Sequence, residues 1–496
     1  MIGVLSEILV GMVSAGLYDE SKEAIRYEIK NAFSKAKDEY GLILYDLITK
    51  MPSKEIQVDL GKYIANYLIE DVDFADKIKR IVDESQLRIE RFIEAEKDPR
   101  EQSYKFIILS DIYLFKENYA DCLNVLEKAL KIFRDLGDLD WEGQVLVKIG
   151  NLYNIQNEDS SAIKAYESAL VNLNESAQKA YWRAAIFNNI GSILAKNEYY
   201  NEAEEKYLEA LKVDEEYLKS EAILNLGNIY RRQKKFDKSI KMYETSISNI
   251  SGGNSLSGLF IQKMALIGKA NNYIEMEPPH YSEAIASYKN CFEVMEKLGY
   301  KKGMCIALLN IGTIFYKHNE FKDALDYYDK SFEHVVKAND QLLECAIMMN
   351  RGCALRRLEK YDESINIYEQ ALKIYGKVKI ARDRFIEDES LNLRILSIEP
   401  QLLGNIGNAY LDQGNFDAAI KYYEQALTIV DAEADYRDEA RLLMHLGVSY
   451  CNRKKEGDIE KALASWDNAK IILKNDTKSS DYMTIIEWKD KLTGRR

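Results

Sequence analysis

Small and aromatic residues recur along this chain in a fixed order and at helical spacing. In LLGNIGNAYLDQGNFDAAIKYYEQALTIV, Leu402 to Val430, the order is Gly407, Tyr410, Ala419, Tyr423 and Ala426. The same offsets give Gly150, Tyr153, Ala162, Tyr166 and Ala169. Further copies centre on Gly191 (Leu194, Ala203, Tyr207, Ala210), Gly227 (Tyr230, Ser239, Tyr243, Ser246), Gly312 (Phe315, Ala324, Tyr328, Ser331) and Gly352 (Leu355, Ser364, Tyr368, Ala371). Looser copies put Ser110 and Ala270 at the glycine position, and a last one runs from Gly447 through Tyr450 to Ala462, Trp466 and Ala469. The pattern predicts about nine helix-turn-helix units, with a turn of fixed length in the regular copies and extra residues around EMEPPHYS and in the loop NRKKEGD of the Ala270 and Gly447 copies. Helix crossing explains it: a small residue in the first helix lets the second approach, small residues in the second do the same, and aromatics fill the wedge between them.

This glycine-to-alanine-to-alanine spacing resembles the tetratricopeptide repeat over roughly Glu101 to Lys474. The resemblance implies an all-α chain, a right-handed superhelix (alpha-alpha solenoid) of stacked helix pairs. Successive marker positions from Ser110 to Gly447 lie 40, 41, 36, 43, 42, 40, 55 and 40 residues apart, all longer than the usual ~34. Such long repeats are similar to those of kinesin light chain, the Pins-type adaptors and the peptide-sensing Rap-type regulators. The longest step contains Ile380, Phe385, Ile386 and Leu391, which fit extended helix or an ordered insertion, with a flexible loop as the alternative.

On this basis residues 100–475 form the array. Residues 476–496 form a capping helix, with Tyr482, Ile485, Ile486 and Leu492 toward the array and Lys489 and Asp490 outward. Residues 1–99 lack the repeat signature and read as a helical bundle, with Asp73 a candidate N-cap and Pro52 a break. They fit either a cap for the array or a separate partner-binding domain.

Composition narrows the function. A formal charge of -13 argues against general adhesion to nucleic acid, and no basic recognition helix follows a turn. Six cysteines stand singly, with no C-x-x-C pair, as reduced core residues do, which points to a cytoplasmic location. The apolar opening MIGVLSEILVGMVSAGL contains Ser6 and Glu7, lacks a basic leader, and falls short of the roughly 20 residues that cross a bilayer. A buried helix fits it, with a surface-lying membrane helix as the rival reading. His280, His318, His334 and His445 occur without metal-ligand spacing, and no phosphate-binding loop motif occurs. Neither an enzyme nor a metal or cofactor site is therefore expected.

Candidate binding residues lie in the first helix of each unit, which the resemblance implies lines the concave surface. Asn189, Asn225, Asn310, Asn350 and Asn405 stand two residues before the glycine, and Asn151, Asn228, Asn271 and Asn408 one after it or its equivalent. An amide donates and accepts at once, so a row of them can hold an extended peptide backbone, as related long-repeat families do. The other reading is that these amides bond neighbouring helices or water within the array. One turn further come Lys196, Arg231, Arg232, Lys317, Arg356 and Arg357, a cationic stripe suited to an acidic peptide or to solvated helix ends. The function expected is a protein-protein interaction adaptor or regulator. Its alternatives are a peptide sensor that relays binding through residues 1–99, or a recognition array carrying a membrane-active helix.

Overall fold

The computed structural model describes residues 83, 86–87, 89–173, 180–212, 216–250, 256–338, 340–382, 398–430 and 436–494. Most of the helical bundle expected over residues 1–99, with Pro52 and Asp73, and Phe385, Ile386 and Leu391 lie outside the described residues. Ile380 falls in a helix that runs on to Arg382. Every described element is helical.

The chain divides into two compact units, Met1–Tyr300 and Lys301–Arg496. In the first, helix pairs are α1 (Pro99–Phe115) with α2 (Tyr119–Asp135), α3 (Leu139–Ile155) with α4 (Asp159–Asn172), α5 (Ala180–Lys196) with α6 (Tyr200–Ala210), α7 (Glu216–Arg232) with α8 (Phe236–Ser248), and α9 (Leu256–Glu275) with α10 (Tyr281–Lys297). In the second they are α11 (Lys301–Lys317) with α12 (Phe321–Ala338), α13 (Gln341–Arg357) with α14 (Tyr361–Arg382), α15 (Ile398–Asp412) with α16 (Phe416–Leu427), and α17 (Tyr436–Arg453) with α18 (Asp458–Ile472), closed by α19 (Ser480–Thr493). Within each unit every helix packs on the next in sequence. First helices also meet first helices: α3 touches α5, α5 touches α7 and α7 touches α9, while α11 touches α13, α13 touches α15 and α15 touches α17. Each unit therefore presents a wall made of its first helices.

The markers sit where the crossing requires them. A methyl group added to Gly150 or Gly312 would meet Cε1 of Tyr166 or Tyr328 at 2.6 Å, and one on Gly407 would meet Tyr423 at 2.7 Å. Tyr166, Tyr243, Tyr368 and Tyr423 are fully buried against these glycines. Where serine replaces alanine in the second helix, its hydroxyl finds a main-chain carbonyl: Ser239 and Ser364 donate to Gly227 and Gly352 at 2.6 and 2.8 Å. A buried polar group is thereby satisfied without widening the crossing.

The constant turn has a backbone cause. The seventh residue after each marker is left-handed in every unit with a normal or weakly lengthened turn: Glu117, Asn157, Glu198, Lys234, Asn319, Glu359, Gly414 and Lys454, with φ between 57° and 81°. Around seven of them two bonds close the first helix. In the first unit of the series Glu117 donates to the Leu114 carbonyl and Asn118 to that of Tyr113. The same pair recurs at Lys234 and Lys235 with Arg231 and Tyr230, and at Gly414 and Asn415 with Leu411 and Tyr410. This is a Schellman closure, which satisfies carbonyls that a helix end leaves open.

The capping helix matches its expected face in part. Ile485 is fully buried among Ala440, Met444, Trp466, Ala469 and Leu473, and Tyr482 packs on them. Leu492, expected to face the array, lies in the last turn and is 36% exposed. Lys489, expected to face outward, reaches Asp467 instead.

Candidate functional site

The wall of first helices carries two polar rows with different occupations. The row one residue after the marker faces the tyrosine of its own second helix. Tyr166 donates its hydroxyl to Asn151 Oδ1 at 2.7 Å, Tyr243 to Asn228 at 2.8 Å, Tyr288 to Asn271 at 2.8 Å and Tyr423 to Asn408 at 2.7 Å. Elsewhere Ser192, Thr313 and Cys353 take the asparagine's place opposite Tyr207, Tyr328 and Tyr368. Burial pushes the Tyr207, Tyr288 and Tyr328 hydroxyls up to about 12 and raises those of Tyr166 and Tyr423 as well. They remain protonated donors at neutral pH. For Asn151, Asn228, Asn271 and Asn408, then, the carbonyl half of the amide is held inside the repeat. This pairing was legible in outline: the position after the marker holds a hydrogen-bonding side chain in all seven of these units, and the tyrosine always follows.

The row two residues before the marker is different. Asn225, Asn310 and Asn405 are half-buried, and their side chains make no hydrogen bond among the described residues. Asn350 donates to the Ala346 carbonyl of its own helix at 3.1 Å. Asn189 bridges repeats, donating to Asn151 Oδ1 at 3.0 Å. In the last unit His445 holds this position, its ring stacked on Tyr423 at 6.1 Å. Burial, with Arg356 nearby, holds its imidazole below the usual range.

The cationic stripe is largely answered from within. Arg231 pairs with Glu275 at 2.7 Å and Arg356 with Asp412 at 2.9 Å, each arginine reaching the acidic residue at the end of the next first helix. Lys196 pairs with Asp159 at 3.1 Å. Arg357 lies over the Phe321 ring at 4.6 Å. Lys196, Arg231 and Arg356 therefore do not face the wall as open charges, because a neighbouring repeat supplies each with a carboxylate that sequence spacing alone could not assign to it. Arg232 and Lys317 are exposed and make no ion pair among the described residues. The Nε atoms of Arg231 and Arg356 are buried without a hydrogen-bond acceptor, so each guanidinium keeps one donor unmet.

No group of three or more metal-binding side chains occurs among the described residues, and none of the described helices is long and apolar enough to cross a membrane. All six cysteines are free thiols. Burial pushes those of Cys122, Cys291 and Cys345 up to about 12, which keeps them from acting as thiolates.

Tetratricopeptide repeat family models match residues 182–250, 321–377 and 400–429. No curated protein sequence matches significantly. Among solved structures, the apo form of RapI is similar at 15% identity and a TM-score of 0.50, covering 71% of this chain and 96% of its own. A signal transduction ATPase with a tetratricopeptide repeat sensor from Pyrococcus horikoshii is similar at 13% identity and a TM-score of 0.50, covering 89% of this chain and 69% of its own. At these identities the likeness concerns the fold. The matched stretches fall on glycine-marked helices, so over residues 182–250, 321–377 and 400–429 this chain carries tetratricopeptide repeats, and every described element is helical.

Proposed function

We propose that this chain is an adaptor or regulator that binds an extended or helical segment of another protein along its walls of first helices. Tetratricopeptide repeats support a role in protein interaction. What supports the wall as the site is the contrast between its two rows. Amides after the marker hold tyrosines, whereas Asn225, Asn310 and Asn405 sit half-buried with donors and acceptors uncommitted among the described residues. Such groups gain from a peptide backbone what no neighbouring helix gives them. The unmet Nε donors of Arg231 and Arg356, with exposed Arg232 and Lys317, favour a segment that brings carboxylates or carbonyls.

The test within the second unit is Asn310→Ala with Asn405→Ala. Partner capture from lysate should fall at least tenfold while the melting temperature stays within a few degrees; undiminished capture counts against the wall. A regulatory version rests on the ion pairs of Arg231 with Glu275 and Arg356 with Asp412, since each ties two repeats together. A ligand carboxylate that takes either arginine changes the spacing of those repeats. Small-angle scattering should then register a changed radius of gyration on adding the partner segment. An unchanged radius leaves the constitutive adaptor.

A further inference from the structure

The first helix pair departs from those that follow, and the departure leaves a cavity. Its marker is Ser110 rather than glycine, and Leu126 stands where the next units have Tyr166, Tyr207 and Tyr243. In the next unit a methyl group on Gly150 would meet Tyr166 at 2.6 Å, so that ring lies directly on its marker, whereas here serine faces a shorter side chain. Leucine stops short of the wall. Between α1, α2, α3 and α5 there remains a cavity of about 280 Å³, lined by Ser110, Asp111, Leu114, Cys122, Leu126, Lys148, Asn151, Asn154, Ile155 and Asn189. That lies just under the roughly 300–1,000 Å³ of small-ligand pockets, a size suited to one side chain rather than a whole ligand.

Its chemistry is specific. Leu126 and Cys122 give an apolar floor that is 1% and 2% exposed. On the polar side Lys148 donates to Asp111 Oδ1 at 2.8 Å, with Asp111 5% exposed. Asp111 occupies the position from which Asn151, Asn228 and Asn271 accept a tyrosine hydroxyl in later units. A carboxylate has two oxygens and accepts several hydrogen bonds at once, so pairing with Lys148 does not by itself bar a phenol donor. The paired charges also select by sign. Lys148 disfavours a cationic guest and Asp111 an anionic one, which leaves a neutral group with an apolar body and a polar tip.

We propose that this cavity receives a tyrosine side chain of the bound partner segment, which enters from the wall and gives its hydroxyl to Asp111, as the later units' own tyrosines do to the residue after their marker. The proposal rests on the wall of first helices being the binding surface, and its test is independent of any partner. N-acetyl-tyrosinamide, followed by saturation-transfer NMR on the full chain, should bind saturably in the millimolar range, with N-acetyl-phenylalaninamide at least fivefold weaker. The variant Ser110→Gly with Leu126→Tyr, which rebuilds the later units' filling, should lose at least tenfold in probe binding. Should that variant fail to fold, Asn154→Trp, at a partly exposed lining position, fills the space from α3 and should have the same effect. No saturable binding of the tyrosine probe, equal binding of the two probes, or unchanged binding to the filled or plugged chain would each overturn the proposal. A failed probe with capture still sensitive to Asn310 and Asn405 removes the pocket and spares the wall; the reverse removes capture by the second unit and spares the pocket.

Discussion

The first helix pair and the later ones share a backbone plan but fill it differently. In α3 with α4, or α15 with α16, glycine accepts a tyrosine ring and the hydroxyl reaches through to the wall, where an asparagine takes it. In α1 with α2, serine and leucine close the crossing, and the wall-side space stays open between Asp111 and Lys148. The same turn geometry follows both fillings, with Glu117 left-handed as Asn157 and Gly414 are. Repeat geometry is thus set by the turn and by the summed size of the facing side chains, while the polarity of the wall is set by which ring reaches it. A solenoid can therefore change which polar groups line its wall one unit at a time.

The contrast breaks most visibly if a later unit is given the first unit's filling. Tyr423→Leu should cost about 2–4 kcal/mol in urea unfolding, since a fully buried ring is shortened and Asn408 loses its donor. A cost under ~1 kcal/mol would mean that the tyrosine row is dispensable. Next comes Gly150→Ala, which forces a methyl group to within 2.6 Å of the Tyr166 ring and should cost about 1–3 kcal/mol. Ser110→Gly, where no ring waits, should cost less than Gly150→Ala in the same measurement.

A smaller effect belongs to the turn. Lys234 is exposed and left-handed, so Lys234→Gly should stabilise by up to ~1 kcal/mol, whereas Gly414→Ala should destabilise by a similar amount. Equal and opposite shifts in the unfolding midpoint would confirm that the turn is shared by both units.

The smallest effect is the pH response of the last repeat. His445 titrates below its usual range because it is buried, with Arg356 adding to the effect. The folded chain therefore holds that proton less readily than the unfolded chain. Stability should decline as pH drops below the ordinary histidine value of ~6.5. His445→Gln should flatten the midpoint-against-pH curve between about pH 7 and 5. An unchanged slope would place the proton-linked loss elsewhere.

Much of the fold was legible because size repeats in the sequence itself. Gly150, Gly312 and Gly407 announce a close crossing, and Tyr166, Tyr328 and Tyr423 announce what fills it. The left-handed turn was not legible in the same way, because Glu117, Glu198 and Lys234 are not residues that advertise positive φ; the Schellman bonds hold them there. Of the wall, the asparagine rows were visible and their division was not. Asn408 and Asn405 look alike in sequence, yet one meets a hydroxyl and the other meets no partner among the described residues. Arg356 likewise reads as an open cation until the next repeat supplies Asp412 across 56 residues of chain.

The order of side-chain sizes, read from the chain alone, determined that helices pair, how closely they cross and how often they do so, because steric fit between sequence neighbours is a local property. Which amides and cations remain for a partner was decided only in three dimensions. A hydrogen bond or ion pair depends on which residue of another repeat arrives within about 3 Å, and the linear spacing that fixes each repeat does not by itself say what its neighbour will bring.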